Sequence, residues 1–326
     1  MNADEKLTLL LAVENSGFKI KEALRLLDVP KSTYYHWKAN YNKLGKDGLK
    51  DRKSVPRVQW NSLLDHEVER ILEIARDKPE LTSREISFKI TDTEEFSVSE
   101  SSVYRVLKEE GLIREQDVIS FPAKKEYDYK PEKVNEQWQT DATYLFIQGY
   151  GWFYLISVLD DFSRKILAWE ICSTNKGDDF VRVLKKACEK AKVDPEDMPN
   201  LVSDRGPALI SEDLNSYLGE VGIHHIYASP YHPQTNGKIE RWHKSLKMNI
   251  YVHNYDKVDD LKRSVGMFIS YYNKRRYHES LGNVTPDDVF YGRREEIVKA
   301  RSEKKILTMT KRKEMNQLNN QVLRVK

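Results

Sequence analysis

Apolar residues in the first third of the chain recur at helical spacing, in short runs separated by turn-forming residues. Within residues 1–55 they predict three helices: Asp4–Asn15, IKEALRLLDV, and KSTYYHWKANY with Ser32 as its N-cap. A short helix, a tight turn and a polar-aromatic helix are typical of a helix-turn-helix module, whose last helix would contact DNA through Tyr34 and Lys38. A three-helix bundle that binds nothing, with these aromatic residues in its core, is the alternative.

The same arrangement recurs over residues 56–113. SLLDHEVERILEIARD predicts one helix, Thr82–Glu85 reads as a capping box that opens the next, and Ser97–Glu100 opens a third. This last helix carries two further candidates for DNA contact, Arg105 and Lys108. Two modules in tandem would read a longer DNA site than one.

Beyond residue 113 the pattern changes. Residues 114–135 have no clear period and two prolines, and they predict a linker. Within residues 136–293, EQWQTDATYLFI, GWFYLISVL and KILAWEIC predict three strands in a meander, followed by alternating helices and strands. We therefore predict an α/β fold with a mixed five-stranded sheet and flanking helices. Residues 294–326 are basic and predict a frayed helix or tail that could hold DNA.

Composition narrows the class of protein. Of the 326 residues 32% are charged and 39% hydrophobic, which is enough for two or three packed domains. No apolar run approaches the roughly 18 residues of a membrane span, and no cationic segment with a cleavage site opens the chain. Cys172 and Cys188 match neither a disulfide framework nor a zinc pattern, which favours a reducing cytoplasm. The net charge of +3 is weak evidence for a polyanionic partner.

Three acidic residues stand where an α/β sheet would bring them together. Asp141 lies within the first strand, Asp204 at the C-terminal end of LVSD, and Glu240 in the first turns of the basic helix in GKIERWHKSLK. Oxygen ligands of this kind suit Mg²⁺ or Mn²⁺. Two such ions about 3.5–4 Å apart can stabilise the attacking and leaving oxygens of a displacement at phosphate. Three crowded carboxylates repel one another without metal, so the trio predicts metal-dependent phosphoryl transfer.

Several phrases of the chain resemble one known family: QTDATYL, VLDDFSRKILAW, SDRGPALIS, SPYHPQTNGKIERWHKSLK, YYNKRRYHESLG and VTPDDVFYG. They look like the catalytic core of retroviral integrases and DDE-type bacterial insertion-sequence transposases. The resemblance covers about half of the chain, and the two helix-turn-helix modules extend it toward the bacterial enzymes. It implies a ribonuclease-H-like core in which Asp141, Asp204 and Glu240 are catalytic and hold two divalent ions, Mg²⁺ or Mn²⁺.

The resemblance also implies a reaction and its partners. A DNA transposase of this type cleaves at a transposon end, and the freed 3′-hydroxyl then attacks target DNA without a covalent protein–DNA intermediate. Its partners would be double-stranded terminal repeats, target DNA and further copies of the chain, in a bacterial cytoplasm at the nucleoid. A DNA-binding regulator without catalytic activity and a ribonuclease-H-like nuclease that cuts without joining are the alternatives. The chain lacks the cysteines for the zinc domain of retroviral integrases and shows no sustained heptad pattern.

Basic residues surround the proposed catalytic trio in the sequence. Lys244 and Lys247 follow Glu240 by four and seven positions and so share its helix face. In related integrases basic residues at these offsets contact DNA near the cleaved end, and the resemblance assigns them that role. Solvated surface lysines are the alternative. Further cations are candidates for DNA contact, namely Lys238, Arg241, Arg275 and Arg276, with His278 beside the last two.

Other polar residues near the trio are given lesser roles. Asp160 and Asp161 stand at a bend between two strands, where a turn or supporting role is the better interpretation. His232 would orient a water molecule or contact a phosphate, and a purely structural role is the alternative. Gln234 and Asn236 could each contact DNA or cap the helix that carries Glu240, and Asn236 as the cap is the simpler choice.

Overall fold

The computed structural model describes residues 1–50, 58–113, 130–228, 237–251, 255 and 257–325. The chain forms two compact units, one of residues 1–62 with 313–326 and one of residues 63–312. Of the predicted linker, residues 114–129 lie outside the described residues.

Helices of the first unit follow the predicted order. They are α1 (Ala3–Asn15), α2 (Ile20–Leu26), α3 (Lys31–Leu44) and a short 3₁₀ helix (Gly45–Leu49). The N-cap of α3 is Pro30, not Ser32 as predicted, because proline at φ −59° leads the extended chain into the helix and leaves Ser32 inside the first turn. Buried residues from every helix form one core: Leu10, Val13, Ala23, Leu24, Tyr34 and Leu49.

A second helical group opens the other unit. It comprises α4 (Asp65–Asp77), α5 (Ser83–Thr93) and α6 (Glu100–Glu109). Thr82 and Glu85 form the predicted reciprocal capping box at the start of α5. The start of α6 falls within the predicted segment Ser97–Glu100, since Ser99 caps the helix, and the backbone N–H of Ser97 donates to Thr308 Oγ1 at 2.9 Å.

Five strands form one mixed sheet. They are β1 (Gln137–Ile147), β2 (Gly151–Asp160), β3 (Ile166–Cys172), β4 (Asn200–Ser203) and β5 (His225–Tyr227). The order across the sheet is β3-β2-β1-β4-β5. The first three strands are antiparallel, as the meander predicts, and β4 and β5 run parallel to β1. The central strand is therefore β1.

The remaining helices cover both faces of the sheet. They are α7 (Gly177–Ala191), α8 (Glu212–Val221), α9 (Gly237–Ile250), α10 (Val258–Lys274) and α11 (Pro286–Phe290). Ile156 and Val158 of β2 join the core with α7 and α8, whereas Leu155 and Leu159 join the core with α9 and α10. This follows from the alternation of side chains along a strand. The predicted fold class, a mixed five-stranded sheet with flanking helices behind helical modules, is confirmed.

The final segment is one continuous helix, α12 (Arg294–Val325), where a frayed helix or tail is expected. In the second unit Lys304 donates to two carbonyls at the end of α5, and Arg312 pairs with Glu67 of α4. In the first unit the Asn316 amide donates to the carbonyls of residues 60 and 62. These contacts along its length stabilise the helix. Across the described ranges of the chain, no helix combines the length and apolarity that crossing a membrane requires.

Candidate active site

Asp141 lies on the central strand, directly opposite Ser157 of β2. It is an even number of residues from Leu145, which packs with α9, so both side chains belong to the face of the sheet that α9 covers. Its Oδ1 accepts a hydrogen bond from the backbone N–H of Ala142 at 2.7 Å. The carboxylate is only partly buried and is therefore accessible from solvent.

Asp204 directly follows β4 and is exposed. In the parallel pairing Val202 lies beside Gln139, and Asp204 and Asp141 each come two residues later. The register therefore brings both aspartates to the same level and the same face of the sheet. Asp204 Oδ1 accepts the backbone N–H of Gly206 at 2.9 Å, and a Cβ at that glycine would come within 3.1 Å of the same oxygen. This close approach favours glycine.

Glu240 lies in the first turn of α9, whose apolar face is buried against the sheet. Partial burial raises the pKa of the Glu240 carboxyl, and the negative charges of Asp141 and Asp204 raise it further. The three acids, from a strand, a strand end and a helix, are therefore close enough to interact through space.

The donor set suits a hard divalent cation. All three groups are carboxylates that solvent can reach, which leaves room for water and substrate oxygens. A cation would also relieve their mutual repulsion. Among the residues that the structure describes, no three Asp, Glu, His or Cys side chains are gathered closely enough to form a ready metal site. The relation that the structure does give among the three acids is electrostatic, since the charges of Asp141 and Asp204 both act on Glu240.

His243 is a candidate that the sequence analysis missed. It is buried in α9, three positions after Glu240. Its Nδ1 lies 3.4 Å from Asp141 Oδ2, and its Nε2 lies 3.0 Å from Ser157 Oγ. The Trp242 ring packs beside it with the centroids 4.8 Å apart. His243 therefore braces the Asp141 carboxylate; the available signal was its place one helical turn beyond Glu240.

Asp160 and Asp161 are both buried and make supporting contacts, in line with the role given to them. Asp160 accepts the backbone N–H groups of Asn135 and Ser163, each at 2.8 Å, and burial raises the pKa of its carboxyl. Asp161 accepts from the Lys238 ammonium at 2.7 Å. Lys238, a candidate for DNA contact, thus forms an ion pair with a carboxylate within the protein.

One candidate in the first helical group, Tyr34, needs correction, and the other, Lys38, stays a prediction. Tyr34 is 1% exposed and belongs to the core, so its predicted contact with DNA is wrong; the face of α3 that packs inward carries it, and Tyr35 beside it is exposed. The Lys38 ammonium forms an ion pair with Glu14 at 3.0 Å, which raises the pKa of the lysine.

The other cations divide by exposure. His278 is not part of a basic cluster, because burial lowers its pKa to about 3 and leaves the ring neutral against Tyr272. Lys247 and Arg276 are half-buried. The remaining candidates are exposed, namely Arg105, Lys108, Arg241, Lys244 and Arg275. His232, Gln234 and Asn236 lie outside the described residues.

Comparison with known proteins gives consistent matches along the chain. Models of the Integrase core domain match residues 131–233 and 221–286, and models of a Homeodomain-like domain match residues 1–50 and 33–107. The Escherichia coli protein named "Putative transposase InsK for insertion sequence element IS150" is 26% identical over 274 residues, which cover 82% of this chain and 92% of that protein.

Two further matches are shorter. The transposase for insertion sequence element IS904 of Lactococcus lactis is 28% identical over 49% of this chain and 63% of that protein. The solved HTLV-2 integrase catalytic core domain in complex with magnesium has a TM-score of 0.41 and 16% identity, and covers 49% of this chain and 99% of that one. From the domain matches and the transposase relatives together, the chain belongs to the insertion-sequence transposases that carry an integrase core.

Proposed function

We propose that Asp141, Asp204 and Glu240 are the catalytic residues of this transposase and that they hold two divalent ions, Mg²⁺ or Mn²⁺. The observation that carries the proposal is the strand register that brings Asp141 and Asp204 to the same level and face of the sheet, where the charges of both act on Glu240. When bound, the ions would polarise the scissile phosphate and offset the charge that develops on its attacking and leaving oxygens. The protein's own part is to present the carboxylates on one face of the sheet, with Asp141 braced by His243.

The proposed reaction is cleavage of double-stranded DNA at a transposon end, followed by transfer of the freed 3′-hydroxyl to target DNA. Arg241 and Lys244 are exposed on the helix of Glu240 and would bind the phosphates of the strand that is cut. In the helical modules ahead of the core, Arg105 and Lys108 are exposed on α6 and would contact the terminal repeats. Since two transposon ends must be held together, copies of the chain would associate.

Each segment of the chain has its own role in the proposed function. Residues 1–55 and 56–113 would be the two DNA-binding modules, residues 114–135 a linker, and residues 136–293 the catalytic core. Residues 294–326 would form a basic C-terminal extension that supports DNA binding. The place of action would be the nucleoid of the bacterial cytoplasm.

Glu240→Gln tests the proposal, because it keeps the shape of the side chain and removes its charge. We expect the purified variant to bind DNA bearing the element's terminal repeats as the wild type does, and to neither cleave nor join it with Mg²⁺ or Mn²⁺. Glu220→Gln, at an exposed glutamate of α8, is the matched control and should retain both activities.

Other outcomes would assign a different function. Joining by Glu240→Gln would remove Glu240 from the catalytic site. Wild-type protein that binds ends and never cleaves them would be a regulator, and one that cuts without joining would be a nuclease.

A further inference from the structure

We propose that Gln139, Asp161 and Lys238 form a clasp that positions the first turn of α9, and with it Glu240, against the strand of Asp141. The proposal rests on the proposed function only in taking Glu240 and Asp141 as the metal-holding acids. All three clasp residues are positioning residues, since none of them is expected to touch substrate or metal.

Asp161 is the centre of the clasp and is 2% exposed. Its Oδ1 accepts a hydrogen bond from Gln139 Nε2 at 2.7 Å, and its Oδ2 accepts one from Lys238 Nζ at 2.7 Å. Lys238 Nζ also donates to the backbone carbonyl of Asp161 at 3.2 Å. Gln137 Nε2 donates a longer hydrogen bond to Oδ2 at 3.4 Å. A carboxylate at this depth is stable only when paired and hydrogen-bonded, so Asp161 depends on these partners, among which Lys238 supplies a positive charge.

Gln139 joins the clasp to the helix backbone. It is buried, and while its amide nitrogen donates to Asp161 its Oε1 accepts the backbone N–H of Ile239 at 3.2 Å. Ile239 lies in the first turn of α9, where backbone N–H groups have no partner within the helix. The glutamine therefore fixes the helix start to β1 through a backbone group that has no partner within the helix.

The clasp lies next to both acids along the chain. Gln139 precedes Asp141 by two residues, about 7 Å along a strand and on the same face. Lys238 precedes Glu240 by two residues, about 3 Å along a helix axis. Because both ends of the clasp are this near to the acids, it limits how far the Glu240 carboxylate can move from the Asp141 carboxylate. Outer contacts that orient metal ligands commonly change metal affinity about 10- to 100-fold when they are removed.

This role differs from the DNA contact that the sequence suggests for Lys238. The lysine side chain is 29% exposed, and its ammonium donates to two oxygens of Asp161. A phosphate contact would instead add about one unit to the slope of log affinity against log salt. The two roles therefore predict different results for the same variant.

Lys238→Met in the full chain separates them. We expect the affinity for Mn²⁺, measured by calorimetry, to fall at least about tenfold. The Mn²⁺ concentration that gives half-maximal joining should rise by a similar factor. The salt dependence of binding to terminal-repeat DNA should stay unchanged. Lys238→Arg, which keeps a cation for Asp161, should restore much of the Mn²⁺ affinity. Lys262→Met, at an exposed lysine of α10, is the matched control and should behave as wild type throughout.

Gln139→Met gives an independent test should Lys238→Met fail to fold, because it removes the hydrogen bonds of the glutamine to Asp161 and to the Ile239 backbone and keeps its length. It should shift the Mn²⁺ requirement in the same direction. Wild-type Mn²⁺ binding in either folded variant overturns the clasp, and so does a salt slope that falls by about one in Lys238→Met. These results leave the proposed function standing, because its own tests are joining by Glu240→Gln and the cleavage and joining of ends by the wild type.

Discussion

Arg312 of α12 and Glu67 of α4 form an ion pair that is almost wholly buried, with side chains 6% and 3% exposed. Arg312 Nε lies 2.8 Å from Glu67 Oε2, and its Nη2 donates to the Ser97 carbonyl, also at 2.8 Å. Glu67 Oε2 accepts in addition the backbone N–H of Leu64. We predict that Arg312→Ala lowers the free energy of unfolding of this region by about 3–5 kcal/mol, because a buried carboxylate loses its cation.

The double variant Glu67→Gln/Arg312→Met removes both charges at once. Replacing a buried ion pair with uncharged groups of similar volume is often neutral, and the glutamine oxygen can still accept from Leu64. We therefore expect the double variant to regain most of the stability that Arg312→Ala loses. The neighbouring exposed lysine offers a control, since Lys313→Ala should change the free energy by less than about 0.5 kcal/mol.

Native-state hydrogen exchange of amides in α4 and α12 measures this local stability without assuming that the whole chain unfolds in one step. A loss of 3–5 kcal/mol would speed exchange roughly 150- to 5,000-fold. A loss below about 1 kcal/mol in Arg312→Ala would refute the reasoning. So would a double variant less stable than the single one, since the cost would then not come from an uncompensated charge.

Two further predictions concern histidines. His243→Phe keeps the packing of the ring but loses the contacts to Asp141 and Ser157. Cleavage under single-turnover conditions should therefore slow at least about tenfold, while binding of transposon ends stays unchanged. Cleavage at the wild-type rate would contradict the role of His243 in holding Asp141. For His278, burial lowers the pKa to about 3, against about 6.5 in the unfolded chain. Its contribution to stability is therefore complete above pH 6.5 and is lost as pH falls toward 3. Unfolding by urea at pH 6.5 and pH 5 should show a loss of about 1.5 kcal/mol that a His278→Leu variant lacks, and equal losses in both proteins would exclude His278 as the source.

Local signals could be read from the sequence. The capping box of Thr82 and Glu85 joins residues three apart, so the start of α5 depends only on its own turn. The runs of aromatic and β-branched residues in β1 and β2 are likewise local, and with the order of strands and helices that follows they predicted the meander and the mixed sheet. The positions of Asp141, Asp204 and Glu240 on strand, strand end and helix followed from the same patterns together with the family phrases.

Contacts between distant residues decided the rest. Which aromatic residue of α3 is buried depends on how that helix packs, so Tyr34 entered the core and Tyr35 did not. Lys238 meets a carboxylate 77 positions away, and His243 meets Ser157 86 positions away. The periodicity of the sequence predicts neither contact, because it indicates which face of a helix or strand is apolar and not which other element packs against that face.

By itself, then, the amino-acid order determined the helices, the strands and the acids available for chemistry, since each depends on neighbours within a few positions. Only the tertiary structure decided that Lys238 pairs with the buried Asp161 and that His243 contacts Asp141. Those outcomes depend on burial, where a charge or polar group is stable only beside a partner that packing brings to it.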